Sequence, residues 1–272
     1  NNSFLCAALV MGQSNMAAGA TVGSNHNSRA ADGEIIAGRG FWPGLCVSLK
    51  HNSRFASYCL IVKGDFLHEL DIQLPFTLVS NDVQHDRLVL IPGYWFMYNM
   101  YALVRNANKY EARDNRHFKN QYFEYDMLAP DTVNEMFAGM DALALAVSES
   151  LQPGENKTQE ERILAGRDLL ANNIDLKDKT IVLSGAENSR RPTVIQKVGE
   201  AYHLYRSFIK YYGVLHLMDA LESGLSLDDI LENLSAEKRT NWENIGGQLI
   251  ESNALRLFLK DIKSTSCHID LI

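Results

Sequence analysis

The chain has 272 residues, 46% of them hydrophobic and 22% charged, a composition that supports a folded core and excludes a disordered polymer. A formal charge of −7 argues against a general nucleic-acid binder, whose surface would be basic. It leaves room for a small phosphorylated ligand, which needs only a local cluster of positive charge.

The first residues read in sixes. Phe4, Val10, Met16 and Val22 are large and apolar, and four positions after each stand Ala8, Ser14, Ala20 and His26. One bulky and one small inward residue per hexad is what a triangular coil requires, and neither a helix nor an alternating strand gives that period. Three hexads make one coil, so Val22 should lie above Phe4. A polar stretch with Asp32-Gly33 then interrupts the pattern as a seven-residue loop, and hexads resume at Ile35, Phe41 and Val47. A start at Ile36 is the alternative register. Removing the loop sets Val47 above Val22, and it stacks two identical tetrapeptides, His26-Asn27-Ser28-Arg29 and His51-Asn52-Ser53-Arg54, at about 4.8 Å. Strand candidates follow at 55–62, 76–79 and 88–91, the last two closing the end of the stack. The apolar stretch 88–104 is broken by Pro92-Gly93 and falls short of the roughly 20 residues of a membrane span.

From Tyr94 the period becomes helical. Trp95, Tyr98, Tyr101 and Val104 form an apolar face, and Arg105, Lys109, Arg113 and Arg116 form a basic stripe, read as a solvated face or as a phosphate contact. A capping box at Thr132 and Glu135 opens a helix that Gln152-Pro153-Gly154 ends, and a second box at Thr158 and Glu161 opens another to Asn172. A short strand at 180–183 leads into a polar loop ending in Arg190 and Arg191. Pro192 then starts the longest helix, to Glu222, so both arginines should stand at a helix N-terminus, an anion-binding position. Shorter helices are expected from Ser226 and Ser235, and a last one at 254–263.

The four cysteines, Cys6, Cys46, Cys59 and Cys267, have no paired spacing, which points to reduced thiols in the cytoplasm and to no metal site. A start without methionine, directly in a repeat, reads as part of a longer chain.

The run 12–66, with Gly12-Gln13-Ser14-Asn15-Met16 and both His-Asn-Ser-Arg copies, together with the run 94–116, resembles a family of long bacterial β-helix proteins of hexapeptide type. Its members often carry the label UDP-N-acetylglucosamine pyrophosphorylase. The resemblance implies the closing coils of a left-handed parallel β-helix (1–92) followed by a mainly α-helical domain (93–272). It further implies a sugar- or nucleotide-sugar-linked transferase of the acyltransferase type, using acetyl-coenzyme A and forming trimers, with a dimer or a monomer as the alternatives. His26 or His51 would be the catalytic base, with Asn25, Asn27, Arg29, Asn52 and Arg54 binding substrate. Two further readings stay open. One is a pyrophosphorylase-like protein whose nucleotidyltransferase domain lies elsewhere. The other is a non-enzymatic scaffold in which the two histidines form a hydrogen-bonded wall and the helices mediate assembly.

Overall fold

Bulky apolar residues separated by short glycine-bearing turns leave the first third of the chain one regular option, short strands paired side by side. A computed structural model describes residues 3–5, 8–10, 12–23, 34–154, 156–236 and 238–264. Strands β1 (Ser3–Leu5), β2 (Ala8–Val10), β3 (Thr21–Gly23), β4 (Glu34–Ala37), β5 (Trp42–Pro43) and β6 (Ser48–Lys50) come first. They are followed by β7 (Arg54–Phe55), β8 (Leu60–Ile61), β9 (Asp65–Phe66), β10 (Asp71–Ile72), β11 (Leu78–Asp82) and β12 (Arg87–Ile91). Strands β1, β3, β6 and β9 form one parallel sheet and β2, β4, β7 and β10 another.

The third sheet runs β5, β8, β11, β12, then β14 (Thr193–Ile195) and β13 (Ile181–Val182). Its pairings are parallel at β5–β8, β8–β11 and β12–β14, and antiparallel at β11–β12 and β13–β14. The chain is therefore mixed α/β, not the expected left-handed parallel β-helix end followed by a mainly α-helical domain. The physical reason is the third sheet. Val89 and Val194 face each other across the expected boundary at residue 92, so residues from both halves complete one sheet and bury one core. Short sheets of both senses and seven helices among the described residues make up the whole.

The spacing of inward residues holds in part. Ile35, Phe41 and Val47, expected inward at steps of six, are all buried, and Phe4 pairs with Val22 as expected. Val22, however, pairs with Leu49, two positions beyond the expected Val47. Corners at Gly40, Tyr58 and Phe76 have left-handed backbone, with φ of 71°, 59° and 56°. A Cβ on Gly40 would come within 2.2 Å of the Tyr58 ring, so only glycine fits there. Tyr58 and Phe76 hold the same backbone with side chains, and their rings stack at 4.9 Å, which offsets the strain.

The helices are α1 (Tyr94–Tyr98), α2 (Met100–Ala112), α3 (Pro130–Leu151), α4 (Gln159–Ala171), α5 (Val198–Glu222), α6 (Leu227–Ala236) and α7 (Ser252–Ser264). Asn99, with φ −155° and ψ 51°, breaks the first helical run, and the break changes which residues turn inward. Trp95 is buried and donates its indole N–H to the Tyr58 carbonyl at 2.7 Å, but Tyr98, Tyr101 and Val104 are exposed, and Ala102 and Leu103 pack instead. The Thr158–Glu161 capping box forms as expected, with amide-to-side-chain distances of 2.7 and 3.2 Å. At α3 the helix begins earlier, at Pro130, and the Thr132 hydroxyl accepts from the Ala129 N–H at 3.0 Å.

β14 occupies part of the stretch expected to open the longest helix. The helix expected from Ser235 is instead a hairpin, β15 (Trp242–Ile245) and β16 (Gln248–Glu251), turned at Gly246-Gly247. Among the described residues no helix is long and apolar enough to cross a membrane. Helix α4 lies so close on α3 that a Cβ on Gly166 would sit 1.9 Å from the Ala144 carbonyl oxygen. Gly166→Ala must push the two helices apart and should lower stability by about 1–3 kcal/mol, read as an earlier urea midpoint. An unmoved midpoint would refute that packing.

Candidate functional site

Of the residues singled out from the sequence, His26, Asn25, Asn27 and Arg29 lie outside the described residues. His51 is 3% exposed, lines none of the cavities described below, and its Nδ1 has no hydrogen-bond partner among the described residues. Asn52 and Arg54 are exposed, Asn52 at a turn with φ 62°. Arg190 is exposed, and Arg191 is committed to structure: it grips the buried Glu187 through Nε and Nη2 at 2.5 Å and donates to the Asn81 side chain at 2.7 Å. The expected helix N-terminus is absent there because β14 follows the loop. The neighbouring cavity of about 440 Å³, which includes Ser184 and Gly185, also carries Asp71, Asp141 and Glu149, carboxylates that repel an anion.

The polar residues that do converge are Arg39, Tyr58, Gln13 and Asp131, which no sequence motif marks, together with Glu135, Arg113 and Arg116. Arg39 stands between two glycines and is fully buried. Its Nε and Nη2 each donate to Asp131 of α3 at 2.8 Å, a bidentate pair. Its Nη1 donates to the Asp126 carbonyl at 2.7 Å and, at 3.4 Å, to the Glu124 carbonyl and the Tyr58 hydroxyl. Burial is the largest influence and opposes this charge, but the Asp131 bonds together with the charges of Tyr58, Asp131 and Glu124 hold the guanidinium above its ordinary pKa. Burial pushes Tyr58 up to about 12, so its hydroxyl stays neutral and accepts from Gln13 Nε2 at 2.8 Å.

One turn along α3 from Asp131, Glu135 is half-buried as a residue. Its carboxylate is directed at the Ser57 amide, which donates to its two oxygens at 3.2 and 3.0 Å. Burial, then the charge of Asp131, pushes its pKa up to about 8. Glu135 thus leaves the expected capping box to satisfy a strand-corner amide.

This network floors a cavity of about 390 Å³ between the Gly12-Gln13 turn, the end of α2, the segment 114–125 and the hairpin turn at Gly246-Gly247. Its volume lies within the range of about 300–1,000 Å³ usual for small-molecule sites. A Cβ on Gly12 would come within 2.9 Å of the Arg39 side chain, so glycine lets the turn lie on the network. Arg113 and Arg116 stand in the wall. Arg116 is clamped by Asp114 through Nε and Nη2, each at 2.7 Å, and lies over the Phe123 ring at 4.2 Å. That pairing holds the Asp114 carboxyl well below its ordinary range. Arg113 has no side-chain hydrogen bond or ion pair among the described residues. Glu124, raised above its ordinary pKa by burial, accepts from the Asp126 N–H at 2.9 Å, and its own N–H donates to Gly247 at 2.9 Å. Gln13 Oε1 and Asn244 Nδ2, beside the same turn, are buried and have no partner among the described residues. Among those residues no group of three or more His, Cys, Asp or Glu is placed to hold a metal.

No family model matches the chain. A protein of Treponema pallidum (strain Nichols) bearing the name "Uncharacterized protein" is 41% identical over 268 residues, 97% of this chain but 36% of that protein. The chain thus spans little more than a third of the relative's length. No solved structure matches.

Two outcomes follow from the network. Arg39→Met leaves Asp131 charged and enclosed and should cost about 3–5 kcal/mol, while adding Asp131→Leu should recover most of the loss, in a double-mutant cycle by chemical denaturation. Additive losses would deny the pair. For Glu135, the folded pKa of about 8 lies above the ordinary 4.5. The unfolded chain releases this proton first, so the contribution to stability is full below the unfolded value and is lost as pH rises through the folded one. Glu135→Gln should therefore raise the melting temperature at pH 9 (a pH above the folded pKa), with the gain shrinking toward pH 5; a pH-independent difference would contradict it.

Proposed function

We propose that the cavity at Arg113, Arg116, Phe123 and Glu124 binds a phosphorylated sugar or a nucleotide sugar, and that the chain is the substrate-binding part of a sugar-linked transferase. The observation that carries this is the unpaired Arg113 guanidinium beside the rigidly held Arg116, in a cavity with three aromatic residues, Tyr110, Phe123 and Tyr125. The forked donors of Arg113 suit a phosphate, while Arg116 is engaged by Asp114 and the Gln121 carbonyl and shapes the wall beside it. Phe123 and Tyr125 offer flat apolar faces to a sugar or base. Glu124 and the free Gln13 Oε1 accept hydroxyl donors, and the raised Glu124 is the pocket group suited to take a proton from an acceptor hydroxyl.

The C-terminal end of α2 carries partial negative charge, costing an anion here about 0.3–1 kcal/mol. Hydrogen bonds to a charged group are worth about 1.5–3 kcal/mol each, so the paired donors of Arg113 outweigh the helix end. The Asp114 and Glu124 carboxylates of the lining also work against an anion, but Asp114 is paired with Arg116 and burial favours the neutral form of Glu124. Cys46 and Cys59 are free thiols, which supports a reducing cytoplasmic setting.

Calorimetric titration with UDP-N-acetylglucosamine, N-acetylglucosamine-1-phosphate, acetyl-coenzyme A and inorganic phosphate tests the reading. A sugar phosphate or nucleotide sugar should bind more tightly than phosphate alone, and Arg113→Ala should weaken it about 10- to 100-fold without moving the melting temperature of the free protein. Absence of binding by either sugar ligand, or binding indifferent to Arg113, would sink it.

A further inference from the structure

Helices α6 and α7 carry two apolar faces that the described residues leave largely exposed. On α6, Leu227, Leu231 and Leu234 recur at i, i+4, i+7 and are 51%, 56% and 63% exposed, while Ile230 is tucked in. On α7, Leu255, Phe258, Leu259 and Ile262 make a stripe at i, i+3, i+4, i+7, and no residue of that helix is buried. Contiguous exposed apolar surface of this kind marks an interaction site. On the last turns of α5, Val214, Met218 and Leu221 are exposed as well.

The charges beside the stripes say what fits there. At about 100° per residue, Asp228 and Glu232 fall on one flank of the α6 stripe, and Arg256, Lys260 and Lys263 fall on the same-sense flank of α7. When two helices pack face to face, same-sense flanks meet if the helices are antiparallel and lie on opposite sides if they are parallel. Antiparallel packing of α6 on α7 therefore buries both stripes and sets acids against bases. Among the described residues of one chain the stripes stay open, with the β15–β16 hairpin between the two helices in sequence.

We propose that a second copy of this chain covers them: α6 of one protomer packs antiparallel on α7 of its partner, and a twofold axis makes the contact twice. Such a surface is self-complementary, as an isologous dimer requires. The acidic flank disfavours an anionic membrane as the occupant. The dimer stands apart from the ligand pocket, since none of these side chains lines it.

Sedimentation equilibrium on the whole 272-residue chain tests it. The wild type should be dimeric at micromolar concentration. Asp228→Lys alone, or Lys260→Glu alone, should weaken the dimer about tenfold, and the two together should restore it. A monomeric wild type, or a dimer indifferent to the reversals, or a double variant as weak as the singles, would overturn the proposal. Should a charge variant lose its fold by circular dichroism, Leu234→Ser carries the same test, because it alters only the exposed stripe: separation into folded monomers supports the contact, and an undiminished dimer overturns it.

Discussion

The Arg39 guanidinium enters the interior from a turn between two strands and meets groups from three distant stretches of chain: the Tyr58 hydroxyl, the carbonyls of Glu124 and Asp126, and the Asp131 carboxylate. Removing a cation of this size from water costs several kcal/mol even after relaxation, so the residue is tolerable only with its donors matched. Its position decides what else can happen. The strand stack must end beside the first turn of α3, the segment 124–126 must cross between them, and Gly38 and Gly40 must let the backbone pass close to Ser57 and Tyr58. A hydrophobic pair in place of both Arg39 and Asp131 would stabilise the fold comparably, but it would not specify which carbonyls face it.

The pocket inherits that order. Its floor residue Gln13 is held by Tyr58, and Tyr58 by its neutral hydroxyl beside Arg39. Glu124 has its carbonyl turned toward Arg39, and its side chain is bound by the Asp126 N–H next to the carbonyl that Arg39 also holds. Arg116, by contrast, is fixed by the local fork with Asp114 and the face of Phe123. Floor and wall are thus positioned by separate causes. The floor depends on buried charge and low dielectric, while the wall is exposed to solvent and salt.

Strand residues were legible where one period governed both side-chain size and burial. Ile35, Phe41 and Val47 obeyed it, and the Thr158–Glu161 box needed only local chemistry. The overall architecture was not legible, because the pairing of Val89 with Val194 is set by tertiary contact across a long sequence separation and leaves no local trace. The α2 face was misread because a break at Asn99 resets the helical phase, and a constant period cannot register a break. Glu135 matched a cap pattern, yet a glutamate on the core-facing side of α3, one turn from Asp131, has a second use once a strand corner offers an unpaired amide. The signals that did exist for the pocket were the Gly38-Arg39-Gly40 triplet and the Asp131–Glu135 spacing, and each becomes meaningful only when the other is near it. Of the basic stripe, Arg113 and Arg116 reach the cavity.

The hairpin at 242–251 connects these regions physically. Its Gly246-Gly247 turn closes the pocket, where Gly247 accepts from the Glu124 amide, and α7 continues directly from β16. The hairpin is tied to α3 by neighbouring contacts: the Asn134 side chain donates to the Thr240 carbonyl at 2.6 Å, and the Arg239 guanidinium lies over the Phe137 ring at 4.0 Å. These are exposed or half-buried ties worth little individually, so the hairpin is held far less firmly than the strands around Arg39. A pocket whose floor is rigid and whose opposite edge is held by weak contacts can admit a ligand at that edge without disturbing the buried charge. The polar network therefore does its structural work on the side where movement would be most costly, and leaves the movable side to the part of the chain with the least buried surface.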